Sequence, residues 1–293
     1  MSNNERGAPM VVGVDGSEDS LRALDWAAAE AARHGWPLRI VSAYEANVAA
    51  LPAVAVTLPG PTERVKAVLA QARDRVANAY PELAVSTEPV QGPAPHVLLT
   101  ESERARMLVV GREGVNRLAE IVLGSVSLEC ATHAQVPVAV IPAAWDPPKE
   151  PYGRIVLGID GSENCQAATQ YAFEEATERD AELIVAYAWH QPTHRPDDWP
   201  ARTDDPHVRA DFHQVLADFV SAWRDKYPDA RVTAIDEVNH PALVLGHLSA
   251  DADMVVIGGR GHGTVTGALL GSVAKAILRH VDRPVVVVHE PKQ

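Results

Sequence analysis

The amino-acid sequence predicts an α/β protein made of two tandem domains, each an open five-stranded parallel sheet with helices on both faces. The chain has 293 residues, which is too long for one ordinary core and suits two domains of about 150 residues. Long blocks of the sequence occur twice, in the same order. Within each copy, short β-branched runs alternate with longer segments of helical spacing, which is the pattern of a parallel sheet with crossover helices.

The internal repeat covers nearly the whole chain. VVGVDGSEDSLRALDWAAAEA, beginning at Val11, returns as VLGIDGSENCQAATQYAFEEA at Val156. LGSVSLECATHAQVPVAVIP, beginning at Leu123, returns as LGSVAKAILRHVDRPVVVVH at Leu270. The chain is therefore one domain written twice.

The sequence AAWDPPKEPYG separates the two copies. Its prolines and charges, from Trp145 to Gly153, are typical of an exposed linker. We therefore predict a first domain at residues 1–144, a linker at 145–153 and a second domain at 154–293.

Each copy is predicted to contain five strands with helices between them. The strands lie near 10–15, 37–44, 84–90, 107–111 and 137–141 in the first copy, and near 154–160, 182–188, 231–237, 254–258 and 284–289 in the second. The apolar runs within RIVLGID and RPVVVVH are continuous, as a strand covered on both faces requires. The segments from Ser17 to Gly35 and from Ser162 to Asp180 have the spacing and length of helices.

Composition and charge exclude several classes of function. The 26 basic and 39 acidic residues give a formal charge of -13, which opposes non-specific association with DNA or anionic membranes. Cys130 and Cys165 are the only cysteines, so neither a disulfide framework nor a cysteine zinc site is indicated. The start MSNNERGAPM is polar where a signal peptide would be apolar, and the longest uncharged stretch is too short and proline-broken to span a bilayer. We expect a cytoplasmic protein without a nucleic-acid partner, a membrane partner or a metal site of its own.

Each copy carries the same glycine-rich loop after its fourth strand. The pattern is Gly-x-x-Gly, nine residues, then Gly-Ser, and it falls on Gly111, Gly114, Gly124 and Ser125 in the first copy and on Gly258, Gly261, Gly271 and Ser272 in the second. Glycines let the backbone turn its N–H groups toward a ligand, and the Gly-Ser stands where a helix begins, so free amides also meet that ligand. Ligands of such sheets bind outside the carboxyl ends of the strands. We therefore predict a phosphate-binding crevice between this loop and the Asp-Gly-Ser turn that follows strand 1.

These motifs together resemble the universal stress protein family. In the first copy the resemblance is carried by Asp15-Gly16-Ser17, by the glycine motif with the Val126 and Ser127 that follow it, and by the closing PVAVIP. The second copy shows the same marks and ends in PVVVVHE. The resemblance implies the strand order 3-2-1-4-5 in each sheet and ATP in the crevice between strands 1 and 4. It also implies a stress-response regulator or sensor that acts through nucleotide-dependent conformation or partner binding, and pairing through the terminal strands, with a homodimer as one outcome.

The resemblance assigns ATP-binding residues position by position. Residues of strands 1 and 2 would line the adenine and ribose end, and the glycine loop with the following helix would hold ribose and phosphates. In the first copy the assigned residues are Gly13, Val14, Asp15, Ala43, Gly111, Gly114, Gly124, Ser125, Val126 and Ser127. In the second copy they are Gly158, Ile159, Asp160, Ala188, Gly258, Gly261, Gly263, Gly271, Ser272 and Val273.

The two copies differ inside this motif. Ala274 stands where the first copy has the hydroxyl of Ser127, and Glu113 of the first loop aligns with Arg260 of the second. A phosphate would therefore meet more positive charge in the second loop. The missing hydroxyl at Ala274 acts in the opposite sense but contributes less, so we predict slightly tighter ATP binding in the second copy.

Three functions remain open from the sequence. They are a nucleotide-binding regulator, a slow ATPase or nucleotide-dependent transferase that uses Mg²⁺, and a structural dimerising module with vestigial pockets. A Walker lysine motif, a nucleophile elbow and a His-Glu-x-x-His motif are absent from the sequence, which favours binding over catalysis, and no catalytic residue is assigned. Asp15 with Glu18, and Asp160 with Glu163, also resemble capping boxes, so helix capping is an alternative role for each aspartate.

Overall fold

The computed structural model describes residues 7–45, 60–113, 123–162, 165–189, 206–260 and 269–291. The chain divides into two compact units, Met1–Pro147 and Pro148–Gln293. Each unit contains a parallel five-stranded sheet with helices between its strands. The predicted α/β class is therefore confirmed.

The first unit alternates strands and helices along the chain. Its strands are β1 (Met10–Gly13), β2 (Leu38–Tyr44), β3 (Val85–Gln91), β4 (Met107–Gly111) and β5 (Val138–Ile141), and its helices are α1 (Glu18–His34), α2 (Pro61–Ala79), α3 (Ala94–Ser102) and α4 (Ser125–His133). The strand order is β3-β2-β1-β4-β5, which is the predicted 3-2-1-4-5. Because β1 pairs with both β2 and β4 in parallel, the carboxyl ends of these three strands lie at one edge of the sheet.

The second unit repeats this arrangement. Its strands are β6 (Arg154–Ile159), β7 (Glu182–Trp189), β8 (Arg231–Val238), β9 (Met254–Gly258) and β10 (Val285–Val288), and its helices are α5 (Gln166–Glu178), α6 (Pro206–Arg224), α7 (Pro241–Ser249) and α8 (Ser272–His280). The order β10-β9-β6-β7-β8 is the same topology, with the first strand of the unit again between its second and fourth. The internal repeat in the sequence is thus a repeat of the fold.

The central strands form the core of each unit. Every residue from Met107 to Val110 in β4 and from Met254 to Ile257 in β9 is buried. Helices α1 and α4 both contact β4, which explains why its apolar run is continuous rather than alternating. No helix in the described part of the chain combines the length and the apolar character needed to cross a bilayer.

Helix α1 has the bounds that its sequence predicts. The Ser17 hydroxyl oxygen accepts a hydrogen bond from the Ser20 N–H at 3.2 Å and caps the first turn. Gly35, with φ of 66°, ends the helix in the left-handed conformation that glycine adopts without strain. Between these caps, Ala23 and Leu24 belong to the buried face that packs on the sheet.

The segment between the two units is only partly exposed. The stretch DPPKEPY is exposed, as predicted, but Trp145 directly before it is buried, with 7% of its surface exposed. The prediction of exposure from Trp145 onward is therefore wrong at that residue, because a large indole ring gains more from burial than its place in a polar segment indicates. The Asp253 carboxylate accepts hydrogen bonds from the N–H groups of Tyr152, Gly153 and Arg154 at 2.8, 2.8 and 3.2 Å. The backbone at the start of β6 is fixed by this one side chain.

Candidate functional site

A cavity of about 460 Å³ lies at the carboxyl ends of β1, β2 and β4 in the first unit, beside α3 and the start of α4. Its volume is in the range of small-molecule sites, about 300–1,000 Å³. The lining contains every predicted first-copy residue that lies in the described part of the chain, namely Gly13, Val14, Asp15, Ala43, Gly111, Gly124, Ser125, Val126 and Ser127. Gly114 lies outside the described residues.

The turn after β1 is held by a short chain of hydrogen bonds. The Asp15 carboxylate accepts from the Ser17 N–H at 2.9 Å and from the Ser17 hydroxyl at 2.6 Å. Because Ser17 itself caps α1, the interpretation of Asp15 as the first residue of a capping box is wrong. The Ser20 hydroxyl, which also lines the cavity, accepts from the Asp15 N–H at 3.3 Å and donates to the Ser17 carbonyl at 2.9 Å. Asp15 thus orders the turn and still contributes to the cavity wall.

The glycines at the end of β4 allow close approach of neighbouring backbone. A Cβ atom at Gly111 would lie 2.9 Å from the backbone carbonyl of Asp19 in α1, so any other residue here would collide with the first turn of that helix. A Cβ atom at Gly124 would lie 3.1 Å from the Arg112 carbonyl oxygen. That carbonyl accepts the Gly124 N–H at 2.9 Å and the Ser127 hydroxyl at 2.8 Å, which joins the end of β4 to the start of α4.

Helix α4 begins without a side-chain cap. Its N-cap residue is Gly124, which has no side chain to accept hydrogen bonds from the first-turn amides. Ser125, Val126 and Ser127 form that first turn and line the cavity. A helix start of this kind presents N–H groups and the positive end of the helix dipole, which attract anions.

The opposite wall of the cavity is apolar. Leu98 of α3 lies against Gly13, where a Cβ atom would come within 2.7 Å of a Leu98 methyl carbon. Val41 and Ala43 of β2 also contribute to the apolar lining. One end of the cavity therefore suits a flat apolar ring, and the other, with its glycines and helix amides, suits an anionic group.

The charged side chains in the lining do not by themselves favour an anion. Asp15 and Glu113 are acidic and Arg112 is basic, so the lining carries one more acidic than basic group. Arg112 is buried, with 5% of its surface exposed. The backbone amides and the α4 dipole therefore add positive potential that the net charge of the lining side chains does not supply.

The predicted residues of the second copy occupy the matching places in the second unit. Gly158 and Ile159 end β6, with Asp160 directly after them, and Ala188 and Gly258 lie near the ends of β7 and β9. Gly271 is the N-cap of α8, followed by Ser272 and Val273 in its first turn. Gly261 and Gly263 lie outside the described residues. At this edge of the sheet the structure has a small pocket of about 20 Å³, lined by Gly259, Arg260, His289 and Glu290.

Sequence reasoning missed part of the first cavity. The unpredicted lining residues are Ser20, Val41, Ala94, Leu98, Val110 and Leu123. Arg112 and Glu113 also line the cavity, and the sequence indicated them only as charges of the glycine loop. The repeat offers one signal for them, since Leu98 matches Leu245 of α7, and each leucine covers the first-strand glycine of its own unit. Glu290 of the second unit was also missed, because it lies beyond the repeated apolar strand.

The fold and the cavity define a class of protein, the doubly wound α/β module with a ligand crevice beside its first strand. Within that class, the model of the universal stress protein family matches residues 8–142 and 151–289. The chain therefore belongs to this family, in which it carries two copies of the domain, and the predicted resemblance is confirmed.

Relatives of the same length support this assignment. A universal stress protein of Mycobacterium tuberculosis (strain ATCC 25618 / H37Rv) is 34% identical over 304 residues, which covers 99% of this chain and 100% of the relative. One of Mycolicibacterium smegmatis is 32% identical over 285 residues, covering 95% and 96%. Among solved structures, a universal stress protein from Archaeoglobus fulgidus has a TM-score of 0.64 at 17% identity over 99% of both chains, which supports the fold alone. A universal stress protein solved in complex with cAMP is 30% identical over 47% of this chain and 98% of its own, with a TM-score of 0.37.

Proposed function

We propose that the cavity of the first unit binds ATP, and that the chain is a nucleotide-dependent regulator of the stress response. The observation that carries this proposal is the composition of the cavity. An apolar wall formed around Ala43 and Leu98 faces a glycine-lined edge that ends in the uncapped start of α4. A nucleotide has the same division between a flat base and an anionic tail.

The proposed orientation follows from this division. The adenine lies against Ala43 and Leu98, and the ribose lies near Asp15. The phosphates lie at Gly124 and Ser125, where the first-turn amides of α4 donate to phosphate oxygens. The strand ends hold the lining residues in place, so nucleotide binding needs little rearrangement of the described residues.

The charges of the cavity suit ATP that carries Mg²⁺. Glu113, in the glycine loop, supplies a carboxylate oxygen, the ligand type that Mg²⁺ takes together with substrate phosphates. Bound Mg²⁺ would neutralise part of the phosphate charge that this carboxylate opposes. Asp15 stays at the ribose, and any hydrolysis would be slow without a positioned base.

The wider biological role belongs to the same proposal. ATP occupancy would change the conformation of the first unit or its affinity for a protein partner, in the cytoplasm, with pairing of chains through the terminal strands. A change of this kind requires that ATP bind the two conformations with different affinity. Mass measurement in solution with and without ATP tests the pairing.

Calorimetric titration tests the binding. We expect ATP to bind the intact chain, and the Ala43→Leu variant, which puts a larger side chain into the adenine end, to bind at least tenfold more weakly, which is about 1.4 kcal/mol. Ala70→Leu, on the exposed face of α2, is the matched control and should bind like the unaltered chain. Equal affinity of all three proteins, or no binding of ATP to the unaltered chain, would contradict the proposal. Phosphate release and cAMP binding are measured in the same samples.

A further inference from the structure

The two units differ in the residues that follow their last strand. In the first unit β5 is followed by Pro142 and Ala143, and in the second unit β10 is followed by His289 and Glu290. The two segments hold the same place, because the Arg112 N–H donates to the last carbonyl of β5 just as the Gly259 N–H donates to the last carbonyl of β10. The second unit therefore has a carboxylate beside its glycine loop where the first unit has a methyl group.

Glu290 is fixed at the start of helix α5. Its Oε1 accepts a hydrogen bond from the Ala167 N–H at 2.6 Å, in the first turn of that helix. In the first unit the corresponding helix is capped by the uncharged hydroxyl of Ser17. The first-turn amides and the positive end of the helix dipole both attract a carboxylate at this place, so the Glu290 side chain is held at the sheet edge.

The same carboxylate lies close to the glycine loop of the second unit. Glu290 lines a pocket of about 20 Å³ together with Arg260, Gly259 and His289, a space for about one water molecule. The imidazole of His289 covers Gly259, where a Cβ atom would fall 2.0 Å from the ring. Arg260 is the residue whose positive charge favoured tighter phosphate binding in the second copy. It shares this pocket with an acidic group of its own unit.

We propose that Glu290 lowers the affinity of the second unit for phosphate-bearing ligands, so that the first unit is the principal nucleotide site of the chain. This inference rests on the proposed function and reverses the ranking that the two loops alone predict. Glu290 is then a specificity-determining residue, since its charge opposes a polyphosphate tail at the neighbouring glycine loop and offsets the charge of Arg260. We expect a difference of about tenfold or more in ATP affinity between the two units, which is about 1.4 kcal/mol.

Charge-only variants of the full chain test this inference with Mg²⁺–ATP as the probe. Glu290→Gln keeps an oxygen that accepts from Ala167 but removes the charge, and should raise ATP affinity at the second unit at least tenfold. In an Ala43→Leu background, which obstructs the first cavity, the remaining binding reports on the second unit alone. Asp229→Asn removes one exposed negative charge elsewhere in the same unit and should leave that binding unchanged.

The reciprocal variant tests the first unit. Ala143→Glu puts a carboxylate at the place that Glu290 holds in the second unit, and should weaken binding to the first cavity about tenfold, while circular dichroism reports an unchanged fold. Two equal sites in the unaltered chain, or the same affinity in Glu290→Gln and Asp229→Asn, would overturn the inference and leave nucleotide binding intact. Absence of ATP binding from every variant would instead overturn the proposed function and this inference with it.

Discussion

At the scale of single residues, the Ser127 hydroxyl offers a direct test of how the glycine loop is held. It is buried, with 1% of the residue exposed, and it lies 2.8 Å from the Arg112 carbonyl oxygen and 2.9 Å from that of Gly124. We expect Ser127→Ala to lower the free energy of unfolding by about 1 kcal/mol, the usual contribution of one such hydrogen bond. Urea unfolding measures the change. The reciprocal control is Ala274→Ser in the second unit, and a neutral Ser127→Ala would mean that the hydroxyl does not stabilise the loop.

The two cysteine thiols make the free energy of unfolding depend on pH in the alkaline range. Burial is the main cause that raises the pKa of Cys165 from 9.0 to about 11 and that of Cys130 to about 12. A raised pKa means that the folded chain holds its thiol protons when the unfolded chain has lost them. Both contributions are therefore fully present below pH 9, and they are lost as pH rises through about 11 for Cys165 and about 12 for Cys130.

The Cys165→Ala variant isolates that contribution. We expect the unfolding free energy to decline less steeply with pH between pH 9 and 11, by a slope that corresponds to the release of up to about one proton. Chemical denaturation at several pH values measures the slope for the variant and for the unaltered chain. Cys130 is present in both, so the difference in slope reports on Cys165 alone. An unchanged slope would show that the Cys165 thiol titrates normally in the folded chain.

The binding positions that the sequence predicted are those that carry a motif. Asp15, Gly111 and Gly124 stand at fixed places in the repeat. At the two glycines a side chain would meet neighbouring backbone, so few other residues fit there. Leu98 carries no motif, and its match with Leu245 in the repeat does not distinguish a ligand contact from an ordinary core position. Glu290 could not be paired with α5 from the sequence, because Ala167 lies 123 residues away and only the folded sheet brings them together.

At the scale of elements, helix α1 connects the cavity to the fold through its first turn. Ser17 caps the helix and also orders the Asp15 turn, so its loss removes a helix cap and a turn contact together. We expect Ser17→Ala to cost about 1 kcal/mol of unfolding free energy. Ser17→Asp retains a capping oxygen and should preserve most of the stability. Urea titration of both variants measures this, and equal loss in the two would mean that capping is not the cause.

The strands and helices were largely predictable, and the reason is the repeat. Each apolar run occurs in both copies, so β4 and β9, for example, are expected at matching positions. A strand that is apolar at every position is expected in the middle of the sheet, where helices cover both of its faces. The burial of Trp145 was not predictable, because it depends on tertiary packing that the local sequence does not report. Helix α3 has a weak pattern of its own, and its part in the cavity arises only from its place beside β1 and β2.

At the scale of the whole molecule, the two units should respond differently to ATP. Saturation at about 100 times Kd stabilises a binding unit by about 2.7 kcal/mol, and a unit that does not bind gains nothing directly. We expect slower amide hydrogen exchange in residues 123–127 and in the turn at Asp15 on addition of Mg²⁺–ATP. Exchange in the first turn of α8 should change much less at the same concentration. Mass spectrometry of peptides measures both regions, and equal protection of the two would contradict the asymmetry.

The hydrogen bonds of Asp253 allow the coding sequence to be divided between the two units. Every hydrogen bond from that carboxylate to the backbone of Tyr152, Gly153 and Arg154 is made within the second unit. The exposed stretch DPPKEPY before it contributes no residue to either sheet. A new stop and start codon placed between Pro148 and Glu150 would therefore leave the second polypeptide with its first strand already anchored. The exposed stretch is thus the natural place for a tag, a protease site or an inserted reporter.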